Sequence, residues 1–262
     1  MVSCLSMKRE HGMNERNQGA VTHLRAEHRH SAVAEYFKEV IYGGIDGIVT
    51  TFAVVAGFSG AAFSNDVTLQ LSFAVVLLFG LANLFADGVS MGLGNFLSVR
   101  SEQDQYNAAR AKEMAQARTA PEDEFEETVV IMKEKGFSDA DARSLATIYR
   151  TNEEYWVDFM MTHELEMSDP RGDNPFLTGF ATFSSFLVFG AIPLLPFMFF
   201  ASASADTVFM LSSIGTGFAL ILLGLLKWRI VGTDLAKSLF EVVVVGGTAA
   251  LIAFFVGSLF EF

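Results

Sequence analysis

Residues 67–100 read VTLQLSFAVVLLFGLANLFADGVSMGLGNFLSVR, and before Arg100 this stretch holds a single charge, Asp87. A helix that crosses a bilayer needs about 20 mostly apolar residues. The stretch is longer than that, so it predicts a transmembrane helix whose end projects into water. Immediately beyond it the chain turns acidic, with 18 Asp/Glu against 9 Lys/Arg over residues 100–175. Charge sorted into blocks in this way predicts a membrane protein with a soluble insert rather than an ordinary globule.

Working outward, four more stretches are long and apolar enough to span. They cover about 40–63 with one charge, Asp46; 176–200 with Pro193 and Pro196 near the end; 206–226; and 239–260 with Glu241 near the start, beside Lys237. The 262 residues are 51% hydrophobic with 26 Phe, which suits five such helices. The net charge of −12, with no basic patch, argues against a nucleic-acid partner. The lone Cys4 excludes an internal disulfide or a thiolate zinc site. Residues 1–39 lack the apolar core of a signal peptide and read as a polar arm, with His11, His23, His28 and His30.

The 18 Lys/Arg fix the expected orientation. Six precede the first span, nine lie in 100–175, and Lys227, Arg229 and Lys237 lie between the fourth and fifth spans. The N-terminus and residues 100–175 are therefore expected in the cytoplasm, and the C-terminus outside. The expected fold class is an all-α membrane protein with five transmembrane helices and a helical cytoplasmic domain between helices 2 and 3. The expected parts are an N-terminal arm (1–39), helices 1–2 (40–99), an acidic metal-binding domain (100–175) and helices 3–5 (176–262).

Within the insert, helix signals recur. The second span is expected to run on to about Arg118. Pro121 suits a first helical turn, and Glu122 to Glu127 favour a helix N-terminus. Phe125, Val129 and Met132 form an apolar stripe ending at Gly136. Ser138 reads as a cap for a helix to about Tyr149. Thr151 to Glu154 reads as a capping box for a helix to about Met167, before a turn at Asp169, Pro170 and Gly172.

Ionisable groups inside a bilayer are expensive and suggest function. Asp46 sits among Gly43, Gly44 and Gly47, where another helix can approach closely. It is either a helix-end carboxylate facing water or a partner, or a cation or proton site. Asn83, Asp87, Ser90, Met91 and Gly94 fall on one helix face, either as a cation track or as packing, with Gly88 and Gly92 as a small-residue pair beside them. In the insert, Glu102 shares a face with Glu113. Glu124 and Glu127 are one turn apart, and Met160, Met161 and Glu164 are grouped at helical spacing. Carboxylates with thioether sulfur suit a transition metal. Solvated acidic faces and Met core filler account for the same pattern. No Walker loop, dinucleotide fingerprint or catalytic triad is present, which argues against a pump driven by ATP and against a hydrolase.

Five motifs together resemble the vacuolar iron transporter (VIT-type) family. They are YGGIDGIVTTFAVVAG from Tyr42 to Gly57, ADGVSMGLG from Ala86 to Gly94, SEQDQY from Ser101 to Tyr106, WVDFMM from Trp156 to Met161 and PLLP from Pro193 to Pro196. The resemblance covers the chain from about Glu35 onward. It implies a homodimer in a lipid bilayer that exports Fe2+, and often Mn2+ or another divalent ion, from the cytosol in exchange for H+. No prosthetic group is implied. A bacterial chain would sit in the inner membrane and a eukaryotic one in the vacuolar membrane. By position, Asp46 and Met91 look like path residues, and Glu113, Glu124, Glu127, Met160, Met161 and Glu164 look like the metal-gathering set. The chain departs from the family at Asn83, where iron-transporting members have Glu, and at Gln116, where the family tends to have a second Glu, and this bears on selectivity, proton coupling and metal count. The rival readings are a membrane-anchored sensor or store without transport and a passive cation channel.

Overall fold

The computed structural model describes residues 36–59, 66–200, 203–232 and 234–258. The polar arm's four histidines and Cys4 lie outside these residues. The described residues are helical, with α1 over Tyr36–Ser59 and α2 over Asp66–Thr119. Next come α3 (Pro121–Glu134), α4 (Asp139–Tyr149), α5 (Glu153–His163) and α6 (Pro175–Gly190). The chain closes with α7 (Leu195–Phe199), α8 (Ala205–Val231) and α9 (Leu235–Ser258). Among the described residues five helical segments are long and apolar enough to cross a membrane: α1, the apolar part of α2, α6 with α7, α8 and α9. The helices divide into two compact units, one of residues up to Leu93 and from Leu177 onward, the other of Gly94–Phe176.

In the first unit, glycines bring α1 against α6. A Cβ on Gly47 would stand 2.4 Å from the Phe186 carbonyl oxygen, and one on Gly43 would stand 2.5 Å from that of Thr182. No larger residue fits this approach. The Gly88/Gly92 pair serves α2 in the same way, facing Phe183, Phe186 and Gly179 of α6. Phe52, Val55, Val76, Leu84, Phe186, Leu194 and Val208 close the core around these contacts.

The third span is not one continuous helix. α6 stops at Gly190, a 3-10 turn covers Ile192–Leu194, and α7 follows. Pro193 and Pro196 each lack an N–H, which breaks the ladder of backbone bonds. Ser212 of α8 donates to the Pro193 carbonyl at 2.7 Å, so that oxygen stays paired in an apolar setting. α8 and α9 are linked by an ion pair from Lys227 to Glu241. Glu241 was expected beside Lys237, and its direct partner is Lys227 on the neighbouring helix.

The second unit has its own core of Tyr106, Val129, Met132, Ala142, Ala146, Trp156, Val157, Met160 and Met161. α3 carries Pro121 in its first turn, and Ser138 caps α4 by accepting from Asp141 N. α5 departs from the expected capping box. Asn152, not Thr151, caps it and accepts from Tyr155 N, while Thr151 donates to the Ile148 carbonyl. α5 also ends at His163 rather than near Met167, and Glu166 takes a left-handed backbone (φ 52°) that no helix continues through. The returning turn is tied down by Gln103 Nε2, which donates to the carbonyls of Pro170 (3.0 Å) and Asp173 (2.9 Å). Arg171 lies over the Tyr106 ring, 5.2 Å from its centre.

Candidate functional site

Three carboxylates distant in sequence meet in the second unit. Glu113 comes from the late part of α2, Glu124 from the first turn of α3 and Glu164 from the C-cap of α5. Each offers an oxygen, and these oxygens all lie within 4.8 Å of one another. Glu113 and Glu124 are each only 3% exposed, and Glu164 forms the solvent-facing side. Glu113 Oε1 is buried and has no hydrogen-bond partner. An orphaned buried carboxylate oxygen costs roughly 1–3 kcal/mol or more. A cation between the three groups removes that cost. A first-row divalent ion holds oxygens at about 2.0–2.2 Å, so oxygens it shares stand at most about 4.4 Å apart. Three oxygens gathered within 4.8 Å of one another can be drawn onto one such ion by side-chain movement.

The electrostatics fit a group whose oxygens take up either protons or a cation. Burial, then the hydrogen bond and charge of Glu113, then the charges of Glu127 and Glu164, push the Glu124 carboxyl up to about 8. Burial, then the charges of Glu113 and Glu127, push Glu164 up to about 7. Glu127 is exposed and acts on both through its charge, beside the three-oxygen group rather than within it. Glu102 is exposed on α2 and also lies outside the group. Met160 and Met161 are 1% and 0% exposed and belong to the core of the same unit.

The Met160 sulfur meets Thr128, a residue the sequence does not single out, and Trp156 orients that threonine. Trp156 Nε1 donates to Thr128 Oγ1 at 2.7 Å, and that oxygen lies 3.3 Å from Met160 Sδ. Thr128 stands one turn after Glu124 on the same helix face, so helical periodicity could have found it.

In the first unit Asp46, Asn83, Asp87 and Met91 are all half-buried. The charges of Asp46 and Asp87 act on one another, and Met91 packs against the core around Phe186 and Leu194. Ser90 and Gly94, on the same face of α2, are exposed. α1 already includes Tyr36, four residues before the expected span. Its first turns therefore include Glu39, which is 8% exposed and accepts from Thr182 Oγ1 at 3.0 Å. Glu39 lies two turns before Asp46, a spacing that places both on one helix face.

The sequence model of the VIT family matches residues 37–258. The chain belongs to the VIT family. A vacuolar iron transporter of Toxoplasma gondii is 36% identical over 242 residues, covering 90% of this chain and 78% of its own. Vacuolar iron transporter 1 of Arabidopsis thaliana is 31% identical over 226 residues, covering 86% of each chain. Vacuolar iron transporter 1 of rice (Oryza sativa subsp. japonica) is 32% identical over 238 residues, covering 90% of each. This VIT-family chain is a transporter and not an enzyme, and its apolar helices make it an integral membrane protein. The resemblance read from the motifs is thus established over nearly the whole length.

Proposed function

We propose that the chain exports a divalent transition metal, Fe2+ and/or Mn2+, from the cytosol by proton antiport, working as a homodimer. The observation that carries this is the group of Glu113, Glu124 and Glu164, with a buried oxygen that lacks a partner. The names of the relatives support iron as cargo. In this reading residues 100–175 and the N-terminal arm (1–39) are cytoplasmic, helices 40–99 and 176–262 span the bilayer, and the C-terminus is outside. The membrane is vacuolar in a eukaryote and the inner membrane in a bacterium. The insert captures the ion with carboxylates, joined by Met160 and Met161, whose sulfur favours transition metals over Mg2+. Glu102 and Glu127 draw cations toward the group by charge. The ion then passes to Asp46, Asn83, Asp87 and Met91. Each carboxylate must lose its proton to bind metal, so protons and metal compete for the same oxygens. That competition is the physical basis of exchange.

The test is Fe2+ and Mn2+ flux into proteoliposomes with a pH dye inside, comparing the parent with Asp46→Ala. Metal uptake with opposing proton movement, lost in the variant, is expected. Flux indifferent to the proton gradient would mean a passive channel instead. One observation favours a second reading as a sensor or store: all three carboxylates lie within the insert's own unit. Metal binding without flux in tight vesicles would support it.

A further inference from the structure

Trp156, Thr128 and Met160 form a buried chain, 2%, 0% and 1% exposed. The Thr128 oxygen accepts from the indole N–H of Trp156 at 2.7 Å. The single hydroxyl proton then faces two acceptors, the Glu124 carbonyl oxygen at 2.8 Å and Met160 Sδ at 3.3 Å. A thioether is a weak acceptor and a carbonyl a strong one. Thr128 therefore joins the backbone of one carboxylate residue to the sulfur of one methionine.

We propose that Thr128, oriented by Trp156, is the positioning residue that fixes the Met160 thioether beside the α3 helix that carries Glu124, and so sets the preference of the insert's metal site for thiophilic divalent ions. The inference rests on reading the insert as a metal site. Methionine has three rotatable bonds, and a free sulfur samples many positions. Holding it in place before the ion arrives lowers the ordering cost of binding. The second acceptor makes release easy. When an ion takes the sulfur, the hydroxyl proton turns fully to the Glu124 carbonyl, and no buried donor is left unpaired. A valine in this place keeps the shape and loses the contact, while a serine keeps the contact.

The test is calorimetric titration of the full-length, detergent-purified protein with Cd2+ and separately with Mn2+. All variants carry Asp46→Ala, which takes the path site out of the titration. Thr128→Val is expected to weaken Cd2+ binding about tenfold or more and Mn2+ binding less than about threefold, the range seen for outer partners of metal ligands. Thr128→Ser is expected to keep the parent ratio. Added to Met160→Leu, Thr128→Val is expected to change nothing, whereas added to Met161→Leu it is expected to keep its full effect. If Thr128→Val alone does not fold, Thr128→Val with Trp156→Phe removes donor and acceptor together and carries the same expectation. Equal losses for both ions, or an undiminished effect in the Met160→Leu background, would overturn the positioning role alone. Absence of Cd2+ and Mn2+ binding in the starting protein would overturn the metal reading of the insert and the positioning role with it.

Discussion

Replacing Glu124 by Gln should stabilise the metal-free protein at neutral pH while abolishing its response to metal. Glu124 is buried, and its carboxyl is pushed up to about 8 from an ordinary 4.5. Below pH 4.5 the group is protonated whether the chain is folded or not, and folding costs nothing extra. Between 4.5 and 8 the unfolded chain ionises while the folded one keeps its proton. The folded state therefore loses stability as pH rises through this window, and the loss levels off above about 8. One pK unit is worth about 1.4 kcal/mol, so the full window corresponds to at most about 5 kcal/mol, reduced to roughly 2–3 kcal/mol by water at the Glu164 side. Glutamine mimics the protonated acid and escapes this cost. The assay is thermal unfolding in detergent with EDTA at pH 5, 6, 7 and 8, followed by Trp fluorescence. The expected result is a variant that matches the parent at pH 5 and exceeds it increasingly to pH 8. With Mn2+ added, the parent should gain stability and the variant should not. A variant no more stable than the parent at pH 8, or equally better at pH 5, would refute the reasoning.

Three further outcomes are expected. Metal affinity should rise with pH up to about 8 and then level, by about tenfold per pH unit for each proton displaced from Glu124 or Glu164, with proton release seen in weakly buffered titrations. Gly47→Ala places a Cβ 2.4 Å from the Phe186 carbonyl oxygen, and this overpacking should cost about 1–3 kcal/mol, read as a lower Tm in detergent with insert metal binding retained. Arg110→Ala removes bonds to Asp158 and Glu154, which are 42% and 71% exposed, and should cost only about 1 kcal/mol, an effect that shrinks at high salt in denaturant titrations.

Several local elements are legible from neighbours in the chain. Pro121 and Ser138 mark helix starts because the groups they leave free or satisfy lie within one turn. The start of α5 is not legible in the sequence because Thr151 and Asn152 are both able to cap, and the fold uses the asparagine. A charge beside an apolar run reads as a boundary, which places Glu39 in the polar arm. Its burial depends on Thr182, 143 residues away. The Glu102 and Glu113 positions share a helix face, yet only Glu113 reaches the carboxylate group, since the partners that close it come from α3 and α5.

The apolar runs, the acidic block between them and the small-residue faces of α1 and α2 mark a helical membrane protein with five helices long and apolar enough to span, and the five motifs carry its likeness to the VIT family. Span length, charge blocks and close-packing glycines are properties of contiguous residues, so no folding is needed to see them. Which acids share an ion is a different matter. Glu113, Glu124 and Glu164 stand on separate helices, and so do Thr128 and Met160, so their meeting depends on how those helices pack around Trp156 and Met161. Burial then does what composition does not. It selects two of the insert's many carboxylates, strips them of water and leaves one oxygen unpaired, ready for a cation.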